Sequence, residues 1–205
     1  MNTRRISILA AIAGLATAFA LPANAAITVM GTGLSQACFR AAEYHGDPVA
    51  GIKNCTQALD QETLVSDDLA ATYVNRGILR ARNNEPYSAL KDYNMGLHIK
   101  PDLAEAYVDR GATYIVLNRY QKAIDDINKG IKLGTDRPHV AYYDRAIAYK
   151  SLGRYREAYT DLRHAVELLP DFDLAIEQLH LLKVIHKDLP QDETPGSPPN
   201  APQGS

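Results

Sequence analysis

The sequence predicts an all-α protein, a solenoid of stacked antiparallel helix pairs, and three observations carry that expectation. Three segments repeat in register without gaps, starting at Ala70, Ala104 and His139, so the steps are 34 and 35 residues. A fixed period of this size marks an array of small units rather than one mixed core. Each copy holds two apolar stripes at helical spacing with a short polar turn between them. Small residues also recur where two helix backbones must approach: Gly77, Gly111 and Ala146 on first helices, Ala89, Ala123 and Ala158 on second ones. Gly96, Gly130 and Ala165 repeat the theme one face further on.

Along the chain, the first element is a leader. Arg4 and Arg5 precede an uncharged run from Ile6 to Leu21, and Ala23 and Ala25 stand at the −3 and −1 places of a cleavage site. The run is shorter than the roughly 20 apolar residues that span a bilayer, and Gly14 and Pro22 break it. Residues 1–25 are therefore expected to be removed as a signal peptide, leaving a soluble periplasmic or secreted product. The formal net charge of −2 becomes −4 once Arg4 and Arg5 are gone. Mild acidity without a cationic block argues against nucleic acid as a partner. Residues 26–33 form a lead-in expected to be flexible, although Ala26, Ile27, Val29 and Met30 are apolar enough to dock somewhere, and this segment, the tail and a second copy are alternative occupants of any groove.

The helical domain is expected over 34–189. A degenerate hairpin spans 34–60, with one helix before Gly46 and one after Pro48; Gly51, Ala58 and Leu59 fit the second-helix pattern. The midpoint of Cys38 and Cys55 falls in its turn, so the two should face each other across the helix pair. Export favours a disulfide over two free thiols, and closing this loop would contribute roughly 3 kcal/mol by chain-entropy arguments. Two thiols are too few for a structural zinc site. Residues 61–68 make a longer connection, and the full copies follow at 70–102, 104–136 and 139–171. In the middle copy Tyr107, Gly111, Tyr114 and Ile115 mark the first helix, Asn118 and Arg119 the turn, and Ala123, Ile127, Gly130 and Ile131 the second. Pro101 and Pro170 stop second helices, and Gly134 takes that role in the middle copy. A last helix over 171–187, carrying Leu174, Leu179, Leu182 and Ile185, should cap the array. The tail, 190–205, holds no apolar residue larger than Ala and is expected to be disordered.

This register of aromatic, Gly, Tyr, Ala, Ala and Pro places resembles the tetratricopeptide repeat family, from which Arg80 and Pro86 depart. The resemblance implies a right-handed superhelix whose first helices line a concave face that holds a protein or peptide partner. Carried over, that face is Val74, Asn75, Ile78 and Arg82, then Glu105, Val108, Asp109, Ala112, Ile115 and Val116, then Val140, Tyr143, Asp144, Ile147 and Lys150. Val, Ile and Tyr make an apolar stripe with Asn75, Asp109 and Asp144 beside it. A segment with apolar side chains, and basic groups meeting Asp109 and Asp144, would fit. Packing between repeats is the competing role for the Val and Ile residues.

Each first helix carries an Arg and each second helix an Asp at the same distance from the turn: Arg76 with Asp92, Arg110 with Asp126, Arg145 with Asp161. These are expected to be structural ion pairs across each hairpin. No catalytic constellation stands out. The six histidines are scattered, and no HExxH, GxSxG or phosphate-binding Gly loop is present. No metal, cofactor or enzymatic activity is expected. The function expected is a binding scaffold outside the cytoplasm; a self-associating envelope assembly protein is the alternative, and an envelope-modifying enzyme a weaker one.

Overall fold

The structure is a computed structural model in which residues 26–29 and 33–186 are described; the expected leader and tail lie outside the described residues. Those residues form nine α-helices and no strand: α1 (Leu34–Glu43), α2 (Pro48–Gln61), α3 (Ser66–Arg82), α4 (Pro86–Ile99), α5 (Ala104–Val116), α6 (Tyr120–Leu133), α7 (Pro138–Ser151), α8 (Tyr155–Leu168) and α9 (Asp173–Ile185). Helices pack in consecutive pairs, α1 with α2 through α7 with α8, and α9 covers α8. This is the all-α helical-hairpin array that the repeats predict.

Local sequence explains the punctuation. Three hairpin turns place His45, Asn84 and Asn118 in the left-handed region, at φ of 54°, 59° and 56°. Asn tolerates that backbone better than most side chains, and the third full copy uses Gly153 at φ 73° instead. Pro86, a departure from the family pattern, occupies the first turn of α4, where a missing N–H costs nothing. Gly134 caps α6 in the left-handed conformation. α3 begins at Ser66, earlier than the repeat boundary at 70. Asp67 and Asp68 fall in its first turn, where negative charge suits the exposed N–H groups.

The inner side of the curve follows from which helices touch. α1 meets α3, α3 meets α5 and α5 meets α7, whereas no comparable contact joins α2 to α4, α4 to α6 or α6 to α8. The first helices of the pairs therefore form the inner wall. Close approach within a hairpin needs glycine. A Cβ on Gly111 would stand 2.6 Å from Ile127 Cγ1, and one on Gly130 would stand 2.6 Å from Val108 Cγ2 and 2.9 Å from the Ala104 carbonyl.

Candidate functional site

Three arginines organise the array. Arg110 donates through Nε and Nη2 to the two carboxylate oxygens of Asp126, at 2.7 and 2.8 Å. Arg76 does the same to Asp92 at 3.0 and 2.9 Å, and Arg145 to Asp161 at 2.8 and 2.7 Å. The two-pronged geometry matches a planar guanidinium to a carboxylate. Each Arg also lies over an aromatic ring one turn earlier: Tyr73, Tyr107 or Tyr142. The remaining nitrogen, Nη1, reaches back to the preceding hairpin. It donates to Thr56 from Arg76 at 3.2 Å, to Asn94 from Arg110 at 2.7 Å and to Asn128 from Arg145 at 2.6 Å. Sequence reasoning missed these acceptors, although Asn94 and Asn128 are one repeat step apart. Arg80, the other departure from the family pattern, adds a second guanidinium on Asp92 at 2.8 Å.

The cysteines are joined, with Cα atoms of Cys38 and Cys55 4.7 Å apart. Both are wholly buried between α1 and α2.

The inner wall is more closed than the sequence suggests. Of the residues assigned to the concave face, only Val116 is exposed, at 49%. Val74, Asn75, Ile78, Val108, Asp109, Ala112, Ile115, Val140, Tyr143, Asp144 and Ile147 are buried, and Arg82, Glu105 and Lys150 are half-buried. Two causes account for this. Val74 and Val108 turn into their own hairpins, against Gly96 and Gly130. Neighbouring elements close over the others: the Phe172 ring lies 5.3 Å from that of Tyr143, tilted by 59°, Lys150 bonds Gln178 of α9, and Glu105 accepts from the Asp136 N–H at 2.9 Å. Arg82 likewise bonds the Ala42 carbonyl of α1.

One row keeps a distinct character. Asn75, Asp109 and Asp144 share a place in successive first helices. At the first, an extended segment outside the repeats is already held: the Ile27 N–H donates to Asn75 Oδ1 at 2.8 Å, and Asn75 Nδ2 donates to the Ile27 carbonyl at 2.7 Å. At the other two, Asp109 Oδ2 and Asp144 Oδ1 are buried without a hydrogen-bond partner. Burial pushes both carboxyls up, Asp144 to about 8, against the opposing pull of Arg137. Burial therefore favours the neutral form of the Asp144 carboxyl. Among the described residues no group of three or more His, Cys, Asp or Glu is placed to hold a metal ion, and no helix is long and apolar enough to cross a membrane.

Residues 104–133 and 139–172 each match the tetratricopeptide repeat family. No curated protein matches the sequence. Among solved structures the chain is similar to the TPR domain of Arabidopsis OM64, at 24% identity over 60% of this chain and 100% of that one, with a TM-score of 0.57. It is similar to MamA from Desulfovibrio magneticus RS-1, at 21% identity over 76% and 82%, TM-score 0.62. It is also similar to the second TPR domain of human RPAP3, solved in complex with an HSP70 peptide, at 24% identity over 56% and 94%, TM-score 0.52. At these identities the likeness is one of fold. Residues 104–133 and 139–172 are thus matched by sequence to tetratricopeptide repeats, and the described helices share the fold of tetratricopeptide repeat domains.

Proposed function

We propose that this chain is a protein-interaction scaffold, exported by its leader to the periplasm or beyond, whose inner wall holds an extended apolar segment of a partner protein. The observation that carries the reading is the Asn75 row: the inner wall already accepts an extended main chain at its first position, and the row continues at Asp109 and Asp144. RPAP3, with a similar fold, is seen with a bound peptide, which supports the same use here. No step of this reading needs a cofactor or a catalytic group.

The test is site-specific photo-cross-linking in cells. A photoreactive residue at Val116, on the inner side, should link to one discrete partner, while the same group at the exposed Lys132 of α6 should not. Equal patterns from the two sites would move the interface off the inner wall. Export has its own check. N-terminal sequencing of protein from the envelope fraction should return a chain beginning at Ala26, and a retained leader would overturn that part.

A further inference from the structure

Residues 26–29 are not part of any helix, yet they are firmly placed. One carboxamide, that of Asn75, satisfies both the N–H and the carbonyl of Ile27. Such a pair engages extended backbone whatever side chain it carries. The side chains add their own contacts. Ala26 and Ile27 pack on the cluster that contains Val74, Ile78 and Ala106, and Val29 is only 3% exposed. Asn75 is wholly buried.

The root of this strap is fixed. Glu62, in the connection after α2, accepts from the Leu34 N–H at 2.7 Å and the Ser35 N–H at 3.1 Å, closing the start of α1. Gly33 sits at φ +84°, and a Cβ there would lie 2.9 Å from Glu62 Oε1. The Cys38–Cys55 bridge ties α1 to α2. Residues 30–32 alone join that anchored point to the segment on Asn75.

We propose that residues 26–29 occupy the Asn75 place of the inner wall in cis, as an internal competitor of an extended partner segment with an aliphatic side chain. The proposal rests on the inner-wall reading above. A short tether holds its occupant at an effective concentration on the order of 1 mM. A strap docked about ten times more often than not then corresponds to a free-peptide Kd of roughly 0.1 mM. It also weakens a competing segment about ten-fold, because only the open fraction can bind. Processing after Ala25, part of the same reading, would leave the strap as a chain terminus.

The probe is the peptide Ala-Ile-Thr-Val-Met-Gly, the sequence of residues 26–31, carrying a fluorophore at its C-terminus and added to the processed chain. Ile27→Asp should expel the strap, since a carboxylate cannot take the apolar place. Ile27→Pro is a second route, because it keeps bulk but removes the N–H that Asn75 accepts. By anisotropy, both variants should bind the peptide about ten-fold more tightly than the unaltered chain does, and adding Asn75→Ala should abolish the gain. Equal binding by all chains would overturn the proposal, as would no binding by either Ile27 variant at unchanged helicity. Cross-linking from Val116 separates the two ideas. A partner captured equally with and without Ile27→Asp leaves the scaffold reading standing and ends the competitor. Peptide behaviour as expected with no partner at Val116 does the reverse.

Discussion

The N-terminal hairpin and the three regular ones solve one problem by different chemistry. In a regular hairpin a small residue on the first helix meets a large one on the second: Gly77 faces Tyr93, and Gly111 faces Ile127. An Arg–Asp pair ties the two helices beside that contact. Aligning α1–α2 on its turn, His45 with Asn84 and Pro48 with Pro86, puts Cys38 where Gly77 stands and Cys55 where Tyr93 stands. The places of Arg76 and Asp92 then fall to Ala37 and Asn54, which carry no charge. A covalent bond thus does in the first hairpin what a buried ion pair does in the others. One added turn residue explains why the cysteines are 17 apart and the paired charges 16. The lesson concerns where each tie acts. The bridge limits the unfolded chain, whereas an ion pair holds only while both burial and partner persist.

The comparison can be broken at its strongest point first. Asp92→Ala strands both Arg76 and Arg80, and it should cost about 3–5 kcal/mol in urea denaturation, because a buried charge left without its partner is expensive. Lys132→Ala, an exposed change, should stay within about 0.5 kcal/mol, and similar losses for both would deny the pair its role. Replacing Cys38 and Cys55 together by Ala should cost roughly 3 kcal/mol. Amide exchange should quicken mainly in α1 and α2; uniform quickening along the chain would count against a local tie. Gly111→Ala should cost about 1–3 kcal/mol through overpacking against Ile127, and a stability equal to that of the unaltered chain would show that the helices can part.

The last prediction is a slope, and it separates Asn75 from Asp144. Asn75 cannot titrate. Burial raises the Asp144 carboxyl to about 8, so the folded chain holds this proton more tightly than the unfolded one. That stabilising contribution is complete below the ordinary carboxylate value of about 4 and is lost as pH rises through 8. The stability of the unaltered chain relative to Asp144→Asn should therefore fall between about pH 4 and 8, in melting curves run across that range. A flat difference would mean that the carboxyl finds a partner.

Much of this was legible in the residues. The copies from Ala70, Ala104 and His139 revealed the hairpins because identical small and aromatic places recur at a fixed step. Counting outward from the turns paired Arg110 with Asp126 and Cys38 with Cys55, since antiparallel helices set such residues opposite each other. Contacts between hairpins were harder to see. Asn94 and Asn128 are periodic, but symmetry about a single turn cannot find a partner in the preceding unit. Ile78, Ala112 and Ile147 sit where an inner wall was expected, yet helical spacing alone does not say how far the next hairpin closes over them. The hold of Asn75 on Ile27 has no periodic trace at all.

The third nitrogen of each arginine has a consequence for growth of the array. Arg110 grips its own hairpin with two nitrogens and the hairpin before it with the third, so every joint points the same way along the chain. An inserted unit of the same pattern would bring an arginine for the neighbour behind it and an asparagine for the neighbour ahead. Such a chain can lengthen one hairpin at a time without redesigning the seam on either side.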